Sequence, residues 1–294
     1  MRTQSVTLNG QTISYVEQGE GPLVLLLHGF PESAAVTFRH TLPALARAGF
    51  RAVAPSMRGF APSSLPASGE ILLPELVEDA LALHDALDGD ERAVLLGHDW
   101  GAATAWAAAT AAPERWARVV TSDVPPLQFF AGYAASFEGI ERLNHFWFFQ
   151  MGFAEHLIAA DDNAYLAEVL QRRWTGPDHD ATEDIAGMRS AIGDPERLKV
   201  ALSLYRRNFA VDEMGTPEWE SAQVALWGDL PTQPTLYLHG TEDHSVRLTE
   251  EDLAMIEKSL APGSEAHLIQ GAGHIVPAEK PDDYNRRVID FLTR

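Results

Sequence analysis

The feature that most constrains the fold is the pentapeptide GHDWG at 97–101, which lies between an apolar run and an alanine-rich stretch. The run Ala93–Leu96 is typical of a strand buried on both faces, and Ala102–Ala112 is typical of a tightly packed helix. Glycines at both ends let strand and helix pass close together, and so sharp a turn strains the backbone of its central residue. We therefore predict a strand-to-helix turn that presents the Asp99 carboxylate at the top of a sheet.

Strand and helix patterns alternate along most of the chain. The dipeptide Asn9-Gly10 between two alternating runs is a strong hairpin signal, because both residues accept positive φ. The predicted strands are Ser5–Leu8, Thr12–Val16, Leu23–Leu27, Arg51–Ala54, Ala93–Leu96, Arg118–Thr121, Thr235–Leu238 and Glu265–Ile269. The other predicted helices are one that ends at Gly49, one through Leu76–Leu87, one around Leu248–Leu260 and one near Asp282–Thr293. This alternation predicts an α/β fold with a mostly parallel central sheet.

One long segment breaks the alternation. No convincing strand pattern occurs from about 125 to about 227, where aromatic residues and charged helix formers dominate. We predict a helical cap inserted into the sheet domain. The predicted division is therefore a first core part at 1–124, the cap at 125–227 and a second core part at 228–294.

Composition excludes several function classes. The chain has 294 residues and no cysteine, which excludes disulfides, a thiolate nucleophile and thiolate zinc sites. A formal charge of −20 argues against binding nucleic acid or an anionic membrane surface. The histidines show no metal-ligand spacing, so we expect neither metal nor cofactor. The N-terminal residues lack the apolar region of a signal peptide, and a cytoplasmic monomer or homodimer is the expectation.

Three further motifs follow predicted strands. The sequence His28-Gly29-Phe30-Pro31 comes directly after Leu23–Leu27, where Pro31 is expected to fix a turn. Asp243 follows the strand Thr235–Leu238, and His274 follows the last strand. Because the carboxyl ends of parallel strands meet at one edge of a sheet, these residues are expected to gather near Asp99.

With these motifs, the sequence resembles the epoxide hydrolase and dehalogenase branch of the α/β-hydrolase superfamily over essentially the whole chain. The chain order of nucleophile, acid and histidine is that of the superfamily. The resemblance implies that Asp99 is the nucleophile, that His274 is the general base and that Asp243 orients it. It also implies an oxyanion hole made by the backbone N–H groups of Phe30 and Trp100.

An aspartate nucleophile suits displacement at saturated carbon, which gives an alkyl ester of the enzyme that activated water then hydrolyses. The resemblance offers an epoxide oxygen, a halide or the fluoride of a haloacetate as leaving group. Epoxide hydrolases commonly supply two cap tyrosines as proton donors. Here Tyr205 matches the second, while His145 occupies the first position, as in a subgroup of bacterial epoxide hydrolases with a His–Tyr pair. We therefore expect hydrolysis of a small apolar epoxide, with water as co-substrate.

Several alternatives stay open at the level of sequence. Asp99 could simply cap the following helix, and His145 and Tyr205 could be core residues of the cap. Asp123, after Arg118–Thr121, is an alternative triad acid. A haloalkane dehalogenase would use Trp100 and a cap tryptophan such as Trp147 to hold halide. A haloacetate dehalogenase is disfavoured, because 101–109 lacks the arginines that bind its substrate, and a catalytically silent binding protein is a third class.

Overall fold

The computed structural model describes residues 2–294. Its centre is one eight-stranded sheet in the order β1-β2-β4-β3-β5-β6-β7-β8. The strands are β1 (Arg2–Leu8), β2 (Gln11–Gln18), β3 (Leu23–Leu27), β4 (Arg51–Pro55), β5 (Val94–His98), β6 (Arg118–Ser122), β7 (Thr235–Gly240) and β8 (Glu265–Ile269). Strand β2 pairs antiparallel with β1 and β4, and every other described neighbouring pair is parallel. The predicted α/β class with a mostly parallel sheet is confirmed.

Helices follow most strands and cover both faces of the sheet. Those that precede β7 outside the long insertion are α1 (Ala34–Thr37), α2 (Thr41–Arg47), α3 (Leu73–Ala86) and α4 (Trp100–Ala111). The insertion between β6 and β7 contains α5 (Leu127–Ala134), α6 (Phe137–Arg142), α7 (Asn144–Phe148), α8 (Ala154–Val169), α9 (Thr182–Ile192), α10 (Pro195–Asn208) and α11 (Pro217–Trp227). The last helices are α12 (Glu250–Ser259), α13 (Val276–Glu279) and α14 (Pro281–Leu292).

Local sequence signals determined several elements correctly. Asn9 and Gly10 have φ of 50° and 72°, as the predicted two-residue hairpin turn between β1 and β2 requires. Strand β3 spans the predicted residues, and all five are buried, because the sheet is covered on both faces there. Strand β8 also has its predicted bounds.

The predicted helix end near Gly49 is confirmed, since α2 ends at Arg47 and Gly49 has φ of 87°, but a single continuous helix is wrong. The structure has two short helices, α1 and α2, joined by a turn through Phe38–His40. Pro43 explains the break, since within one continuous helix it would remove a hydrogen bond and clash with the carbonyl of Arg39. In the first turn of α2 the missing N–H costs nothing.

The insertion between β6 and β7 is helical throughout its ordered elements, with no strand among the described residues 125–227. Side chains of α10 tie it to the sheet domain: Ser203 Oγ accepts from the Ile71 N–H at 2.8 Å, and Asn208 Oδ1 accepts from the Leu73 N–H at 2.9 Å. These bonds lie next to the start of α3, so α10 is held directly over the carboxyl edge of the sheet. Among residues 2–294, no helix has the combination of length and apolar character that crossing a bilayer requires.

Candidate active site

The turn between β5 and α4 has the predicted strained geometry. Asp99 has φ 52° and ψ −119°, a conformation that a non-glycine residue rarely adopts. A Cβ on Gly97 would overlap the carbonyl of Gly101, and a Cβ on Gly101 would overlap the carbonyl of Leu27. Strand and helix therefore approach so closely that only glycine fits at either end, and the Asp99 side chain projects from the top of the sheet.

Two groups contact the Asp99 carboxylate. The backbone N–H of Phe30 donates to Oδ1 at 2.8 Å, and Nε2 of His274 lies 3.2 Å from Oδ2. A Cβ on Gly29 would overlap the same carboxylate, so this turn needs glycine next to Phe30. Burial alone would raise the pKa of Asp99, but His274, His98 and the Phe30 N–H together lower it below its usual value. Asp99 is therefore ionised at neutral pH, as a nucleophile must be.

The two backbone N–H groups predicted to form the oxyanion hole differ in whether they contact Asp99 in the free site. The Phe30 N–H already contacts Asp99, and the Phe30–Pro31 peptide bond that follows it is cis. Trp100 is the first residue of α4, where backbone N–H groups have no partner within the helix. Within the described residues Asp99 accepts no hydrogen bond from the Trp100 N–H. That donor is therefore positioned by the helix start rather than by the resting carboxylate.

His274 is held on its other side by Asp243. Nδ1 of His274 lies 2.9 Å from Oδ2 of Asp243, while Oδ1 of Asp243 accepts from the Ser245 N–H at 2.6 Å. Burial alone would lower the pKa of His274, but the carboxylates of Asp243 and Asp99 hold it well above its usual value. In the free site His274 is therefore an imidazolium between two carboxylates.

Asp123 does not contact the His274 side chain. Its Oδ1 accepts from the Gly240 N–H at 3.1 Å, and its Oδ2 lies 3.3 Å from Nε2 of His98. His98 also pairs with buried Glu32 at 2.8 Å, and the two carboxylates raise the pKa of His98 well above its usual value against the effect of burial. Of the two candidate triad acids, Asp243 therefore has the geometry, and Asp123 belongs to a buried ionic cluster beneath the turn.

Asp123, His239 and Asp243 lie close enough to hold a metal ion, but their hydrogen bonds do not fit one. Nε2 of His239 lies 2.8 Å from the Val246 carbonyl, to which it must donate, and Nδ1 lies 2.9 Å from the Tyr237 hydroxyl. Neither imidazole nitrogen has a lone pair free for a metal. The cluster is therefore part of the hydrogen-bonded support of the pair formed by Asp243 and His274.

The cap covers Asp99 with an aromatic chamber. This inner chamber encloses about 630 Å³, its open mouth included. His145 from α7 and Tyr205 from α10 line it together with Asp99 and His274, and the rings of His145 and Tyr205 are 5.5 Å apart. Burial lowers the pKa of His145 to about 3 and raises that of Tyr205 well above its usual value. Both groups are therefore neutral at pH 7, and each carries a hydrogen that can be donated in a hydrogen bond.

Two residues at the site were not predicted. Trp174 lines the inner chamber, and its buried indole Nε1 has no hydrogen-bond partner among residues 2–294. Its carbonyl accepts from the backbone N–H of His274 at 2.6 Å. Glu279 accepts from the N–H groups of Gly176, Gly273 and Ile275, which joins the cap to the loop of His274. Trp147, the tryptophan expected as a halide donor, lines a different space on the outside of the cap.

Comparison with known proteins agrees with this fold. The model of the α/β-hydrolase fold family matches residues 22–281, and the chain belongs to that family. Epoxide hydrolase A of Mycobacterium tuberculosis is 32% identical, with 98% of this chain and 96% of that protein aligned. The structure of the epoxide hydrolase CorEH superposes with a TM-score of 0.83 at 26% identity, over 99% of this chain and 98% of that one. An epoxide hydrolase from an endophytic Streptomyces has a TM-score of 0.79 at 30% identity, over 99% and 95% of the two chains. The predicted resemblance and a hydrolase activity are thereby confirmed.

Proposed function

We propose that this chain is an epoxide hydrolase that converts epoxides to vicinal diols through an alkyl ester on Asp99. The observation that carries the proposal is an ionised carboxylate facing two neutral hydrogen-bond donors, His145 and Tyr205, across one apolar chamber. An epoxide needs both partners, a nucleophile for its carbon and an acid for its oxygen. The names of the relatives above support the same activity.

In the first step an oxygen of Asp99 attacks an epoxide carbon, and the bond from that carbon to the ring oxygen breaks. The electron pair of the broken bond forms an alkoxide, which takes a proton from Tyr205, while neutral His145 can donate a hydrogen bond to the same oxygen. Since burial disfavours the tyrosinate that is left, Tyr205 readily takes up a new proton. The product of this step is a hydroxyalkyl ester of Asp99.

Forming the ester removes one of the two negative charges beside His274. We infer that the pKa of His274 then falls, that its proton replaces the one given to the alkoxide and that the neutral imidazole can act as a base. His274 takes a proton from water, and the resulting hydroxide attacks the carbonyl carbon of the ester. The N–H groups of Phe30 and Trp100 stabilise the oxyanion, and the bond to the diol oxygen breaks. That oxygen takes the remaining proton of the attacking hydroxide, and Asp99 is restored as a carboxylate beside an imidazolium.

The second candidate function is a haloalkane dehalogenase with the same nucleophile. Trp174 favours it specifically, because the buried Nε1 of Trp174 has no partner and shares the inner chamber with Trp100. Two indole N–H groups can hold a leaving halide. A halide needs no proton as it leaves, so a dehalogenase has no use for the O–H of Tyr205 and the N–H of His145. This is why we prefer the epoxide.

A paired assay distinguishes the two functions. Diol formation from styrene oxide and aliphatic epoxides is measured beside halide release from haloalkanes and haloacetates with the same enzyme preparation. We expect diols from the epoxides and no halide release above the Asp99→Asn control. Halide release without diol across the panel would overturn the epoxide proposal in favour of the dehalogenase.

The proposal extends to the organisation of the protein. Residues 125–227 are proposed as the cap domain that closes the site, between core parts at 1–124 and 228–294. The substrate is proposed to be a small apolar epoxide, the compartment the cytoplasm and the assembly a monomer or homodimer. Cell fractionation tests the compartment directly. Light scattering gives the molar mass in solution and so tests the assembly.

A further inference from the structure

A second, larger space lies on the outside of the cap, and we name it the outer groove. It runs between α5–α7 on one side and α11 on the other, and it encloses about 1430 Å³ with its open side included. Its walls include Leu127 and Ala131 from α5, Ile140 from α6 and Val224 from α11. Ile140 and Val224 are 49% and 60% exposed, so apolar surface is open to solvent here.

The outer groove and the inner chamber share a wall. Six residues line both spaces, and all but Gln223 are apolar. They are Phe130, Leu143, Phe146, Phe209, Gln223 and Trp227. The ring of Phe146 packs 4.8 Å from that of Phe209 and 6.1 Å from that of Phe130. The one polar side chain of the wall, Gln223, accepts from the Trp227 indole N–H at 2.9 Å, so the wall presents little unpaired polarity.

We propose that the outer groove binds the long, uncharged, apolar tail of a terminal epoxide whose ring lies at Asp99. This inference rests on the proposed function and names its substrate class. The proposed route passes between the side chains that line both spaces, and burying each methylene in the outer groove removes it from water. A carboxylate at the end of the tail is disfavoured, because Glu220 is the one charged residue among the described residues that line the groove.

A series of terminal epoxyalkanes from epoxybutane to epoxytetradecane tests the length dependence. We expect kcat/KM to rise by up to about fourfold per methylene once the tail passes the wall, and then to level off. A terminal epoxy fatty acid is compared with its methyl ester, and kcat/KM for the ester should be at least about tenfold higher. A kcat/KM that does not change with chain length, or one that is equal for acid and ester, would overturn the inference. Hydrolysis of epoxybutane would still be evidence for the proposed function.

Matched tryptophan substitutions locate the effect. Ala131 is exposed in the outer groove, and Ala222 is an exposed alanine of α11 that does not line it. Ala131→Trp should abolish the gain with chain length and leave epoxybutane turnover unchanged, whereas Ala222→Trp should change neither. Equal effects of both substitutions, or a change of oligomeric state with Ala131→Trp alone, would contradict a tail site and indicate a covered surface instead. Val224→Arg adds a positive charge to the groove, so it should reduce the difference in kcat/KM between the epoxy fatty acid and its methyl ester.

Binding separates this inference from the proposed function. The groove is lined by Trp147, Trp219 and Trp227, so a bound chain should change the indole fluorescence. Dodecanol should bind much more tightly than butanol to the wild-type chain, and Ala131→Trp should remove the difference. This result would support the tail site even if no epoxide were turned over, and equal affinity for the two alcohols would overturn it.

Discussion

Nε2 of His274 lies 3.2 Å from Oδ2 of Asp99, so the proposed nucleophile and its base form an ion pair before substrate binds. The pair explains how one histidine can serve in a second step only. While Asp99 is charged, it helps to hold the pKa of His274 high, and the base is blocked. Esterification neutralises Asp99 and releases the base, so water is activated when the ester exists and not before.

Asp99→Asn should imitate this release. The neutral amide replaces the charge as the ester does, and the pKa of His274 should fall below its wild-type value because only Asp243 then raises it. Titration of the imidazole signals by NMR, with His274→Gln used to assign them, measures the change. An unchanged or higher pKa in Asp99→Asn would contradict the proposed coupling.

The two candidate triad acids should respond differently to amide substitution. Asp243→Asn should reduce kcat by orders of magnitude, since its contact with Nδ1 of His274 sets the tautomer and stabilises the imidazolium. Asp123→Asn should cost much less activity and act mainly on stability, because Asp123 contacts His98 and the Gly240 N–H. Steady-state rates and thermal unfolding of both variants are compared, and a greater loss of kcat in Asp123→Asn would reverse the assignment.

Tyr205→Phe should slow ring opening and leave ester hydrolysis unchanged. The substitution removes the hydroxyl that protonates the alkoxide, and the rate of ester formation should fall about a hundredfold. Rapid-mixing measurements resolve the two steps within one turnover. Tyr133→Phe is the matched control, because Tyr133 is partly buried in α5 and does not line the inner chamber. An effect confined to the hydrolysis step would refute the proposed role of Tyr205.

Burial of neutral His145 should destabilise the protein in acid. Its pKa is about 3 in the folded chain against the ordinary 6.5, so between these values the unfolded state binds the extra proton. The free energy of unfolding therefore falls as the pH drops through this window. His145→Asn should reduce the slope by up to about 1.4 kcal/mol per pH unit, as measured by urea unfolding. Identical slopes for wild type and His145→Asn would contradict a buried neutral histidine.

The sequence predicted the parts of the site that depend on local chain geometry. The turn at Asp99 was predictable because glycines at 97 and 101 and an apolar strand are local features, and the structure has the positive φ they imply. Likewise Phe30 and His274 follow strands whose ends must meet at one sheet edge. The position of Asp243 on His274 was favoured by its motif, but only the three-dimensional contact separates it from Asp123.

Features that depend on long-range packing were not predictable. Trp174 is near His274 only because the cap folds back over the sheet, and no local pattern distinguishes it from other cap tryptophans. Glu279 looks like an ordinary acidic residue of a short helix, yet it binds backbone N–H groups on both sides of the boundary between cap and core. The break between α1 and α2 has a local signal in Pro43 that a periodicity-based prediction overlooked.

The central claim is a covalent ester on Asp99, and a single-turnover reaction in heavy-oxygen water tests it most directly. Enzyme in excess over epoxide is allowed one turnover, and the labelled oxygen is located by mass spectrometry of the diol and of the peptide that contains Asp99. We predict label in the Asp99 carboxylate and unlabelled oxygen in the first diol, since water attacks the ester carbonyl. Label in the first diol with none in Asp99 would show that water attacks the epoxide directly, and would contradict the mechanism.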